Sequence, residues 1–156
     1  MKFPRYFDLT ELVHTNTWLP NAPTWKQADN LRMLGFFLDS VREEFGYPIK
    51  VNSGFRSADV NAKVGGAKNS AHLEGLAADI VPSHITQKTM GTLLGILERA
   101  VGQTALVGNA RLAIDQLIVY CKTPKDLSSG IRFFHVGVAI DGNPRRQVIW
   151  KCAWVI

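Results

Sequence analysis

Two histidines and one aspartate have the types and spacing to share a metal ion: His72 and Asp79 within SAHLEGLAADI (70–80), and His135 within FFHVGV (133–138). Two imidazoles and one carboxylate suit zinc and leave a fourth position open for water, the arrangement of catalytic rather than structural sites. The chemistry this implies is zinc-dependent hydrolysis. After His72, Gly75 permits a tight turn, and LAADIV (76–81) reads as a buried strand whose one charged residue is Asp79. Burying an unpaired carboxylate is costly, and a divalent cation removes that cost. The plainer reading of the same residues makes Asp79 an acceptor for backbone amides and His72 an ordinary loop histidine.

Further blocks accompany these residues: SGFRS (53–57), the VN pair at 60–61, VGGAKNSAHLEGLAADI (64–80), DQLIVY (115–120) and FHVG (134–137). Together, and in this order, they resemble the D-alanyl-D-alanine carboxypeptidase family of zinc peptidases, the M15 peptidases, and within it the small versions carried by phages and prophages. The resemblance runs from about FDLTEL (7–12) to Val138. It implies Zn²⁺ on His72, Asp79 and His135. It also implies that Arg56 holds the substrate carbonyl or carboxylate near the metal, a task suited to a permanently charged planar fork of donors. Ser70 is implied to orient the loop or a ligand.

The chain departs from that family at the general base. Members carry an acid three residues before the last histidine, where this chain has Arg132, or on the strand leading toward it, where DQLIxE becomes DQLIVY and the acid becomes Tyr120. Asp115 is the remaining acid of that strand and is taken as the base, provided the strand brings it within reach of the water. Strict alternation puts Asp115 on the face of Leu117, Val119 and Cys121, opposite Gln116, Ile118 and Tyr120, unless a bulge changes the register. Glu74 is a second candidate, and Tyr120 is a group able to position water or substrate through its hydroxyl.

The chain has 156 residues, 46% of them apolar and 20% charged, which suits one compact domain spanning 1–156 with a substantial core. No repeat, low-complexity tract or block of like charge interrupts it. The net charge of +5 favours anionic partners. Its positive residues are dispersed, as in Lys2, Arg5, Lys63, Lys68, Arg145 and Arg146, without the basic groove that marks nucleic-acid binding. Peptidoglycan is the partner expected, and nucleic acid is not. The N-terminus lacks the apolar core of a signal peptide and no segment has the length of a membrane span, so synthesis in a bacterial cytoplasm and action at the wall after release, or as a virion component, are expected. A monomer is expected. Cys121 and Cys152 have no metal-ligand spacing and read as free thiols unless their strands are neighbours.

The elements that must position the site follow from periodicity. DLTEL (8–12) reads as a short helix, and Leu31, Leu34, Leu38, Val41 and Phe45 mark a core-packing helix over about 25–45 that ends at Gly46 and Pro48. A strand at 49–55 leads into the Arg56 loop, a short helix follows at 58–64, and Met90, Leu93, Leu94, Leu97 and Val101 mark a helix over 86–101. The segments 113–120, 131–138 and 147–155 read as strands, and DGNP (141–144) as a turn that pairs the last two antiparallel. Trp150 and Trp154 share a face and read as core; His14 and His84 read as surface residues. The fold expected is α+β, helices packed on a small antiparallel sheet with zinc at the sheet surface, of the D-Ala-D-Ala carboxypeptidase/hedgehog-like type. The function expected is hydrolysis of peptidoglycan stem peptides, as carboxypeptidase or endopeptidase of a phage or prophage lysis type. The alternative is a catalytically impaired zinc-binding relative that binds the wall or serves in the virion.

Overall fold

The computed structural model describes residues 1–122 and 130–152. The long helix α2 (Trp25–Phe45) begins at a capping box in which Thr24 and Gln27 exchange side-chain-to-backbone hydrogen bonds, and it ends at Gly46 in the left-handed conformation. Before it comes the one-turn α1 (Leu9–Leu12), and after it strand β1 (Ile49–Ser53) and helix α3 (Ala58–Lys63), capped by Ser57. A 3₁₀ turn at Ala71–Glu74 then leads into strand β2 (Ala77–Pro82). Helix α4 (Gln87–Val101) starts at a second capping box, Thr86 with Thr89. Strands β3 (Ala105–Val107), β4 (Ala110–Cys121), β5 (Ile131–Ile140) and β6 (Gln147–Cys152) complete the fold. The β3–β4 hairpin, turning at Gly108 with φ of +59°, was not legible in the sequence.

The sheet runs β1-β2-β5-β4-β3, with β6 added to β4. Both helices pack on one face. Leu31, Leu34, Leu38, Val41 and Phe45 of α2 and Met90, Leu93, Leu97 and Val101 of α4 are buried there against Ile80, Leu117, Val119, Phe134 and Val136 of the strands. The helical periodicities therefore marked the core stripe as expected, and the fold is α+β.

The expected pairing of the last two strands is overturned. β5 and β6 are not partners; β6 lies parallel to β4, from Gln116 opposite Gln147 to Cys121 opposite Cys152. The sheet is mixed rather than purely antiparallel. The reason is competition for edges: β5 is flanked by β2 on one side and β4 on the other, and β6 takes the stretch of β4 from Gln116 to Cys121 that β3, paired with Ala110–Leu112, leaves open. The connecting loop passes over the end of β4 and is tied down on both sides. Arg111 N donates to Asp141 Oδ1 at 2.8 Å, and Arg146 Nη1 donates to the carbonyls of Val101 and Gln103 at 2.7 and 3.0 Å.

Because β4 and β6 are neighbours, Cys121 and Cys152 form a disulfide across them, their Cα atoms 4.4 Å apart. This corrects the expectation of free thiols. Trp150 packs partly buried against the core; its expected companion Trp154 lies outside the described residues, as does the end of the strand read to 155.

Candidate metal centre

Pairing in the middle of the sheet builds the site. Asp79 of β2 stands directly opposite His135 of β5, so the two side chains rise from the same face, the one turned away from the helices. His72 arrives from the 3₁₀ turn. Ser70 caps this turn by accepting from His72 N at 3.2 Å, and Gly75 ends it at φ +72°, where a Cβ would lie 2.6 Å from the Gln27 carbonyl oxygen. The glycine is needed both for its backbone conformation and for the close approach of α2.

His72, Asp79 and His135 are all buried, at 2%, 7% and 9% exposure, and their ligand atoms lie within 4.8 Å of one another. His72 Nε2 is 3.1 Å and His135 Nδ1 3.0 Å from the same oxygen, Asp79 Oδ1. The other ring nitrogen of His72, Nδ1, lies 2.7 Å from the Gly54 carbonyl and donates to it, which leaves Nε2 with a lone pair in the neutral ring. A lone pair aimed at a carboxylate oxygen is repelled unless a positive charge lies between them; a cation meets that need at His72, and His135 Nδ1 is close enough to share it. The donor set therefore fits zinc. For Asp79, burial works to raise its carboxyl pKa, but without a metal the two histidines in their protonated forms donate to it and add positive charge, which outweighs burial and holds the group ionised, well below the usual range.

Arg56 reaches the same carboxylate from behind. Its Nη2 donates to Asp79 Oδ2 at 3.2 Å, Nε to Ser53 Oγ at 3.0 Å and Nη1 to Asn61 Oδ1 at 3.3 Å. Asn61 in turn donates to the Ala67 carbonyl at 2.9 Å. Arg56 is thus a support that fixes the second oxygen of Asp79 and leaves the first for the metal. The sequence reading missed Ser53 and Asn61 as the arginine's anchors. The VN pair at 60–61 was the available signal, since a buried asparagine at 5% exposure in a short helix must find partners.

Asp115 is not brought into this cluster. It sits at a β-bulge, the extra residue between Ile114 opposite Val138 and Gln116 opposite Gly137. Its carboxylate accepts from Arg145 N at 2.8 Å and from Arg145 Nη2 at 2.8 Å, an ion pair that lowers its pKa and fastens the loop entering β6. Beyond the bulge, Gln116, Ile118 and Tyr120 lie on the metal face, with Ile118 opposite His135 and Tyr120 opposite Phe133. Tyr120 is half-buried, and burial together with the charge of Asp79 raises its phenol pKa while Arg56 opposes this. Glu74 is exposed on the 3₁₀ turn, and Arg132 is exposed on β5.

Comparison with known proteins adds two likenesses. The model of a family described as peptidase M15 matches residues 5–113, which include Arg56, His72 and Asp79. A zinc D-Ala-D-Ala carboxypeptidase of Streptomyces albus G is 52% identical over 44 residues, 28% of this chain; the chain spans 17% of that relative's length.

Proposed function

The chain belongs to the peptidase M15 family, and from that premise we propose that it is a zinc-dependent peptidase acting on the stem peptides of bacterial peptidoglycan. The observation that carries this reading is the convergence of two histidine nitrogens and one carboxylate oxygen at a buried point, with both His72 and Asp79 fixed by outer hydrogen bonds. Three protein ligands leave an open position, as hydrolytic zinc sites require. The likeness to a D-Ala-D-Ala carboxypeptidase supports a peptide ending in D-alanine as substrate. The likeness of the sequence blocks to small phage and prophage enzymes supports a role in wall lysis, by a monomer that needs no membrane insertion. No helix among the described residues is long and apolar enough to cross a membrane.

Zinc bound at this centre supplies a Lewis acid and a water whose pKa falls toward about 7. In the reaction, water oxygen adds to the peptide carbonyl carbon, the C–N bond breaks and the departing amine takes a proton. The protein's own groups prepare this chemistry. Gly54 O fixes the tautomer and orientation of His72, and Arg56 fixes the orientation of Asp79. The three hydrogen bonds of Arg56 engage one N–H on each nitrogen, so Nη1 and Nη2 each retain a second N–H with which to hold a substrate carbonyl or carboxylate. Asp115 as general base requires release from Arg145, and that ion pair favours its role in the loop instead.

A second reading, a zinc-binding relative that holds the wall without cleaving it, draws support from Tyr120 and Arg132 at the positions expected for an acid. One experiment separates the two: zinc content by elemental analysis, with amine and D-alanine release from purified peptidoglycan of several wall types, for the wild type and His72→Ala. One zinc with chelator-sensitive release, both lost in the variant, supports the peptidase. One zinc with wall binding and no release on any wall supports the binder. No zinc refutes the centre.

A further inference from the structure

Across the metal face of the sheet, the row beside Ile118 and His135 consists of Phe133 on β5, Tyr120 on β4 and Lys151 on β6. The Tyr120 ring stacks on Phe133 with centroids 4.4 Å apart and planes at 17°, and Lys151 Nζ lies 6.0 Å from its centroid. The ring is therefore held between an aromatic and a cation, and the disulfide at the next residue pins β4 to β6. Among the described residues, its hydroxyl makes no hydrogen bond, yet it is not a sealed, orphaned atom. A donor on a stacked, half-buried ring of the metal face, within electrostatic reach of Asp79 and Arg56, is suited to meet a group that arrives with the substrate.

We propose that Tyr120 is a catalytic residue of this chain, donating its phenolic hydrogen bond to the scissile carbonyl oxygen of the peptide as negative charge develops there. The phenol, whose proton stays on throughout the neutral range, is a donor and not a replacement for the missing base. Stacking on Phe133 sets its direction before substrate arrives, so little reorganisation is required during reaction.

This rests on the peptidase reading, and the test separates the two. Tyr120→Phe keeps the ring and its stacking and removes the donor. Both proteins, each shown to carry zinc and to share one circular-dichroism spectrum, are assayed on a tripeptide ending in D-Ala-D-Ala. Calorimetry then measures binding of a phosphinate analogue of that peptide, whose tetrahedral oxygen mimics the developing charge. The expected result is a fall in kcat of about 10²–10³-fold, KM within about threefold, and a matching loss of phosphinate affinity. In the wild type, phosphinate binding shifts the tyrosine ultraviolet band, and the variant lacks that shift. Unchanged kcat and phosphinate affinity in Tyr120→Phe, with an active wild type, overturns the assignment of Tyr120 alone. A wild type that neither hydrolyses the peptide nor binds the phosphinate overturns the peptidase reading and this assignment with it. If the variant loses the shared spectrum, the ultraviolet shift in the wild type decides: its absence overturns the assignment.

Discussion

Reducing the Cys121–Cys152 bond tests the strand order directly. The bond closes a loop with a sequence separation of 31 residues. Chain-entropy bookkeeping for a loop of that length gives about 12 cal/mol/K, or about 3.7 kcal/mol at room temperature, taken from the unfolded state. With a urea m-value of about 2 kcal/mol/M, the midpoint should fall by about 2 M on reduction. Cys152→Ser is the better covalent control, because Cys152 is partly exposed whereas Cys121, at 1% exposure, would bury a new hydroxyl. The assay is urea unfolding followed by tryptophan fluorescence, with chelator present so that metal binding does not contribute, for oxidised, reduced and Cys152→Ser protein. Reduced and Cys152→Ser proteins should coincide, both well below the oxidised one. A shift under about 1 kcal/mol would refute the reasoning, because it would mean that β6 does not clip a denatured loop of this length to β4.

Arg56→Lys should lower zinc affinity about 10–100-fold, because a lysine cannot hold Asp79, Ser53 and Asn61 together as the planar fork does; competition with a chromophoric chelator measures it. In the same titration, affinity should weaken as pH falls, since protons compete with the metal for the imidazole nitrogens. Asp115→Asn should lower the urea midpoint by releasing Arg145 while zinc content is unchanged. Its hydrolysis rate should stay far above the ~10²–10⁴-fold deficit that loss of a general base causes. A deficit of that size with the fold intact would instead make Asp115 the base.

Much of this protein was legible in its amino-acid order because it is encoded locally. The 3.6-residue spacing of Leu31, Leu34, Leu38 and Val41 specifies a helix and its buried stripe without reference to any partner. His72, Gly75 and Asp79 lie within eight residues, so turn and strand chemistry alone place both ligands at one end of the site. The pattern of residue types named zinc, and the sequence blocks named the family. The tertiary structure decided what depends on which edges remain unpaired. His135 lies far along the chain from Asp79, and only the β2–β5 register sets them face to face. Period-two alternation says which side a residue occupies but not which strand lies beside it, so β6 was read onto β5 when both edges of β5 were already taken. The same non-local choice pairs Cys121 with Cys152, turns Asp115 toward Arg145 through a bulge, and lays Tyr120 on the metal face. Sequence determined the donors, and the sheet's competition for edges determined which of them meet.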